Sequence, residues 1–200
     1  MTWPLVSVIT PTWRRRDLLL RRCIPSVAAQ TYPAVEHVIV SDGPDWDLGE
    51  PILEASNPRH QVTFTCLPEH DTAGHWGGPA RRRGLDIAHG KLIAYLDDDD
   101  AYRPDHLQVL AAALADCPAA RFAVSRMVSH SPAGDTTVIG TGPPAYGAIG
   151  TPMILHHADL ADVATWGPPS PAEDWELVSA WLNARTGFVA VPDETIDVWP

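Results

Sequence analysis

Short apolar runs alternate with apolar residues at helical spacing through the first half of the chain. Leu5 to Thr10 (L-V-S-V-I-T) reads as a first strand. Thr10-Pro11-Thr12 reads as the loop that ends it, and the chain turns helical from Arg14. Leu19, Cys23, Val27 and Leu20, Ile24, Ala28 recur every four positions and predict a buried stripe, with a kink or break at Pro25. Val35 to Val40 is a second apolar strand, stopped by Ser41-Asp42-Gly43-Pro44. A weaker helix, Leu48 to Ala55, leads to a third strand, Val62 to Leu67. Asp71 to Pro79 is glycine-rich. A helix then runs from Pro79 to about His89, with Ala80, Gly84, Ile87 and Ala88 on one face, small enough for close packing on a sheet. Gly90 ends it, and Leu92 to Leu96 forms a buried strand.

The order β-α-β-α-β-α-β with short loops implies a mostly parallel sheet with right-handed crossovers, an α/β nucleotide-binding architecture. Ligands of such sheets sit at the carboxyl ends of the strands. Thr10, Asp42 and the run Asp97 to Asp100 all fall at such ends. Pro104 is placed to open the next helix, which runs to Ala115. Beyond it the pattern loosens. Phe122 to Val128 and Thr136 to Ile139 read as strands, Gly140 to Gly150 as a loop and Met153 to Leu155 as a further strand followed by His156-His157. Glu173-Asp174-Trp175 opens a last helix to about Ala184. No repeat or linker divides the 200 residues, so a single domain is expected.

Composition narrows the function classes. A net charge of −11 argues against bulk binding to nucleic acid or an anionic membrane. Arginine is nevertheless clustered at positions 14–16, 21–22 and 81–83, which suits a discrete anionic ligand such as a phosphate. The longest apolar stretch, Val109 to Ala115, has seven residues, too few to span a bilayer, and no secretory signal opens the chain. Cys23, Cys66 and Cys117 fit neither a zinc spacing nor a disulfide framework, so reduced core cysteines in a cytoplasmic protein are expected.

The aspartate run carries the first specific chemistry. Four adjacent carboxylates, Asp97 to Asp100, follow a buried strand and precede a helix. Such a run is costly without a cation, and a hard divalent metal with oxygen ligands relieves it; a solvated acidic corner or a helix cap are the alternatives. A calcium EF-hand register fails, because its sixth and twelfth positions are Tyr102 and Gln108.

Four segments in order then carry a family resemblance: V-S-V-I-T-P-T-W-R-R near the start, H-V-I-V-S-D-G at 37–43, A-R-R-R-G-L-D-I-A-H-G-K-L-I-A-Y-L-D-D-D-D-A-Y-R-P-D-H-L at 80–107 and E-D-W-E-L at 173–177. Together they resemble a family-2 glycosyltransferase of the GT-A fold, well over residues 5–107 and thinly beyond. The resemblance implies a nucleotide-binding half (1–107) and an acceptor or sugar-side half (108–200). It implies that Thr10, Thr12 and Asp42 embrace the nucleoside, with Arg14 nearby. An Asx turn with Gly43 is the plainer reading of Asp42. Arg81 matches a diphosphate- or base-contacting arginine, while Arg82 stands where the family has asparagine. The run matches the family's D-x-D-D metal pattern. Asp97, Asp99 and Asp100 are in register, Asp98-Asp99 is a second register, and Asp99 is the first choice of ligand. The implied cofactor is Mn²⁺ or Mg²⁺ bridging a diphosphate. His156 or His157 would complete its shell, His157 being the choice, and an imidazole ligand would favour Mn²⁺. Asp174 matches the general base, whereas Glu173 reads as an ordinary acidic first turn. Trp76 and Trp175 are placed to stack on sugar or base, and Trp3, Trp181 and Trp199 to serve in core or docking.

The activity implied is metal-dependent transfer of a sugar from a UDP- or GDP-linked donor to a small acceptor hydroxyl, with inversion. A sugar-nucleotide mutase or isomerase using the same site without an external acceptor is the alternative. A non-catalytic sugar-nucleotide binder is the third reading. A homodimer is possible under any of them.

Overall fold

The computed structural model describes residues 3–73, 77–167, 170 and 172–199. Among these, nine strands join one mixed sheet in the order β3-β2-β1-β4-β8-β6-β9-β5, with β7 pairing β6. Strands β1 (Val6–Thr12), β2 (Val35–Ser41), β3 (Gln61–Cys66) and β4 (Leu92–Tyr95) are mutually parallel, as the alternation of strand and helix predicts. Every residue of β1, β2 and β4 is buried. Helices cover both faces of such a sheet, which explains their near-continuous apolar runs.

Strand β1 continues through Thr12, so Thr10-Pro11-Thr12 is strand and not loop. Proline is tolerated there because of ladder geometry. The carbonyl of Ile9 accepts from Leu96 on the β4 side, while that of Thr12 accepts from Asp42 on the β2 side. Pro11 therefore faces the β4 side, where pairing has ended at Ile9↔Tyr95, and no donor is missed.

The first helix, α1, covers residues 16–28, and the kink expected at Pro25 is replaced by a π-helical turn at Leu19–Cys23. The wider turn before Pro25 makes room for a ring that would otherwise meet the carbonyl four residues back. Helix α2 (Gly49–Ala55) follows, and α3 (Gly78–Ile87) packs on β1 and β2. A Cβ on Gly84 would stand 2.4 Å from Cγ2 of Ile9, so glycine is what lets α3 lie this close to the sheet.

The loosely patterned half departs further from expectation. Helix α4 starts at His106, not Pro104, because the Pro104 carbonyl is turned outward to accept from the backbone N–H and the hydroxyl of Thr31. Strand β5 (Ala101–Tyr102) and the long β9 (Gly187–Val198) have no counterpart in the sequence reading. Strand β6 runs Ala120–His130 and β7 runs Thr136–Ile139. Strand β8 (Ile154–His157) contains both histidines instead of preceding them. Helix α5 spans Glu173–Asn183.

The amino ends of β1 and β2 are tied by a buried carboxylate. Glu36 accepts from the Ser7 hydroxyl, from the backbone N–H of His89 at 2.9 Å and pairs with the His89 ring at 2.7 Å; Ser7 in turn accepts from Gly90 N–H at 2.8 Å. Burial alone would raise the Glu36 pKa, but these donors outweigh it and hold the carboxyl below its ordinary value.

Candidate active site

The opposite, carboxyl ends of β1, β2 and β4 open into a cavity of ≈ 720 Å³, within the usual range for small-molecule sites. Three segments of parallel strand deliver its walls. β1 ends in Thr12 and leads to Trp13 and Arg15, Asp42 follows β2 and the aspartate run follows β4, while α3 and α5 bring Arg81 and Asp174. The sheet thus gathers residues 12, 42, 81, 97 and 174 at one edge.

The aspartate run forms a turn closed by Asp100 N–H donating to the Asp97 carbonyl at 3.2 Å. Its carboxylates differ sharply. Asp97 accepts from Arg81 Nη2 at 2.5 Å and its side chain is 30% exposed. Asp98 is buried, accepts from the Thr12 hydroxyl at 2.7 Å and from Arg15 at 3.3 Å. Asp99 pairs with the same Arg15 and is 23% exposed. Asp100 points away from the cavity and accepts from the backbone of Trp199 at 3.2 Å. Burial pushes Asp98 up to about 6 and, with the charges of Asp97 and Asp99 added, Asp100 up to about 8. Asp97, Asp98 and Asp99 all line the cavity, and of these Asp97 and Asp99 are the partly exposed ones.

Arg81 is buried between Asp97 and Glu173, whose Oε2 lies 3.5 Å from Nη1, and its guanidinium sits 4.8 Å from the ring centre of Trp166. Arg15 is half-exposed and reaches the run from the solvent side. Arg82 neither faces the cavity nor hangs free; it donates to the carbonyl of Trp166 at 3.0 Å. Asp42 is not in an Asx turn with Gly43. Its carboxylate accepts from Asp71 N–H at 3.2 Å and pairs with His70 at 2.9 Å, tying the loop after β2 to the loop after β3. Trp13 stacks on that His70 ring at 4.4 Å.

Asp174, which lines the same cavity, sits in the first turn of α5. Burial is the main cause that raises its pKa, helped by Asp97 and opposed by the Trp175 N–H and Arg81. Glu173 is not the solvated first-turn acid the sequence suggests. It is buried against Gly78 and Arg81, where the start of α3 meets the start of α5.

Several expected site residues lie elsewhere. Thr10 is fully buried behind the cavity, and its hydroxyl bonds His37 at 3.0 Å and contacts the Cys23 sulfur at 3.5 Å. Thr12 lies on the same face of β1 as Thr10 but one two-residue repeat nearer the carboxyl end, and its hydroxyl donates to Asp98, so Thr12 positions the turn. Arg14, at φ 54°, turns back over the Trp13 ring, and the next residue, Arg15, takes the place expected of it. His157 is not a candidate metal ligand. It pairs with Leu92 at the start of β4, at the opposite end of that strand from Asp97. His156 is fully buried and bonds the Tyr95 hydroxyl at 2.9 Å, and burial lowers its pKa to about 4. Trp76 lies outside the described residues. Trp175 packs on the core, and among the described residues the tryptophan that lines the cavity is Trp13. Trp13, Arg15 and Glu173 were readable only as neighbours of expected residues.

The model of the family described as glycosyl transferase family 2 matches residues 7–144. A putative colanic acid biosynthesis glycosyl transferase, WcaA of Escherichia coli (strain K12), is 32% identical over 111 residues, covering 54% of this chain and 37% of that protein. The crystal structure of S. aureus TarS 1-349 in complex with UDP-GlcNAc superposes with a TM-score of 0.76 at 19% identity, covering 98% of this chain and 58% of that one. The mannosyltransferase PcManGT from Pyrobaculum calidifontis, in complex with GDP-Man and Mn²⁺, gives 0.74 at 17% identity, covering 98% and 57%. The chain thus spans under two thirds of the length of each of these relatives, and the superpositions establish the GT-A-like fold. No helix among the described residues is long and apolar enough to cross a membrane.

Proposed function

Because the chain belongs to glycosyl transferase family 2, we propose that its cavity binds a nucleoside-diphosphate sugar and that the protein moves the sugar to a small acceptor hydroxyl with inversion. The observation that carries this is that Asp174, its pKa raised by burial, lines the same cavity as an arginine-flanked pair of carboxylates. The presence of UDP-GlcNAc in TarS and of GDP-Man with Mn²⁺ in PcManGT supports the class of donor.

Each wall then has a task. Asp42, held by His70 and Asp71, offers its remaining lone pairs to an N–H of uracil or guanine. Arg15 and Arg81 supply forked donors to the diphosphate oxygens. Asp97 and Asp99 would hold Mn²⁺ or Mg²⁺, which when bound neutralises charge developing on the leaving diphosphate. The donor set fits that group. It is hard oxygen, and no three His, Cys, Asp or Glu side chains converge among the described residues, as expected where phosphate and water complete the shell. Asp174 takes the proton of the acceptor hydroxyl as its oxygen bonds the anomeric carbon. The bond from that carbon to the phosphate oxygen breaks on the far side, and its electron pair leaves on the diphosphate. A raised pKa makes Asp174 a stronger base than a solvated aspartate.

The test is incubation with UDP- and GDP-sugars and Mn²⁺, with and without an acceptor panel, followed by NMR of the sugar. Transfer only on adding acceptor, with the opposite anomeric configuration in the product, supports the reading. A rearranged sugar nucleotide formed without acceptor overturns it in favour of a mutase, and binding without turnover across the panel in favour of a binder. Asp99→Ala should lower turnover at least ~100-fold in the same assay, the cost of losing charge stabilisation on the leaving group; undiminished turnover would refute the ligand assignment.

A further inference from the structure

The aspartate turn has one internal backbone bond and four mutually repelling carboxylates, so something outside it must fix its shape. Two arginine–tryptophan pairs flank it. On the inner side, Arg81 lies 4.8 Å over the fully buried Trp166 and donates to Asp97, while the carbonyl of Trp166 accepts from the neighbouring Arg82. On the outer side, Arg22 lies 4.0 Å over Trp199 and donates to the backbone carbonyl of Asp99. Trp199 itself donates its backbone N–H to Asp100 and stacks on His130, the ring centres 4.9 Å apart. His130 in turn shares Asp197 with Arg103.

We propose that Trp166 and Trp199 are positioning residues which, by holding Arg81 and Arg22 over their indole faces, set the spacing at which Asp97 and Asp99 meet a diphosphate-bound cation. A guanidinium held over a ring by cation–π attraction is restricted in where its N–H donors can point. Each indole thereby converts a flexible cation into a fixed strut. Neither tryptophan lines the cavity, so the effect is exerted through the turn and not through the ligand. The inference rests on the sugar-nucleotide reading above and names what shapes its metal-facing carboxylates.

Binding of UDP and of GDP, each with and without Mn²⁺, measured by isothermal titration, tests it. The readout is the gain in nucleotide affinity that Mn²⁺ confers. Trp199→Leu should cut that gain about three- to tenfold, the worth of one partly exposed cation–π contact. Metal-free affinity and melting temperature should stay near wild type, and Trp199→Phe should restore most of the gain. Trp166 is in the core, so Trp166→Phe is its variant, with a smaller cut in the same quantity. An unchanged gain in folded Trp199→Leu, or equal losses with and without metal, would overturn the positioning role while leaving the sugar-nucleotide reading intact. A wild-type protein that binds neither nucleotide would overturn both.

Discussion

The two ends of the parallel strands hold buried carboxylates in opposite condition. At the amino end, Glu36 is surrounded by donors from Ser7 and His89, and its pKa is depressed. At the carboxyl end, Asp98 and Asp100 are buried and Asp174 is half-buried, and in each the loss of solvent outweighs the donors that reach it, so each pKa is raised. The same burial gives different outcomes because strand starts can be tied to the returning backbone, whereas strand ends face a cavity. The lesson is that burial of an acid does not mark a site; burial without sufficient donors does. The amino end holds the sheet together, and the carboxyl end leaves acids whose ionised form a bound cation would stabilise.

Substitutions at the two ends should therefore fail differently. The largest effect belongs to Asp174→Asn, which should lower kcat at least ~100-fold with KM little changed, as loss of a general base does. Its melting temperature should not fall, since a carboxylate held against burial is removed; steady-state kinetics beside thermal unfolding would show whether activity and stability separate in this way. Glu36→Gln should do the reverse, costing about 1–3 kcal/mol of stability at neutral pH while kcat of the folded protein is kept. Because the folded pKa of Glu36 is depressed, its contribution is present above the unfolded value of about 4.3 and disappears as pH falls through the folded one. Urea melts of the two proteins should accordingly converge in acid and diverge above pH 5. The smallest effect sharpens the contrast within the carboxyl end. Arg14→Asn replaces a branched-out side chain at φ 54° by one that accepts this conformation, and should stabilise by about 0.4–1 kcal/mol. A loss there would mean that the Arg14 stack on Trp13 outweighs backbone strain.

The sequence made the parallel half legible because its strands are buried on both faces and its helices repeat every four residues. It left β9 invisible, since G-F-V-A-V-P-D-E-T-I-D-V contains a proline and three acids and pairs with β6 through a register shift between Val124 and Arg126. Pattern reading finds strands with one clean face, and β9 has none over its middle. At the site, motif matching located the aspartate turn, Asp42, Arg81 and Asp174 on one cavity. It failed by one residue at Arg14 and by one strand repeat at Thr10, because a motif names neighbours and only backbone geometry decides which side chain reaches the cavity. His157 failed for a topological reason. An antiparallel strand carried it to the wrong end of β4, and no local signal announces the direction of a strand.

The turn's braces come from residues 22, 81, 166 and 199, so they arrive at very different times as a chain is made. Synthesis supplies the four aspartates and two of the arginines well before either tryptophan. A half-made chain would hold β1 to β4 and the arginines that reach the acidic corner, but not the indoles those arginines lie over. On the positioning role proposed above, the second of those supports comes from the residue that follows β9, which ties the shape of the corner to the strand made last among the nine.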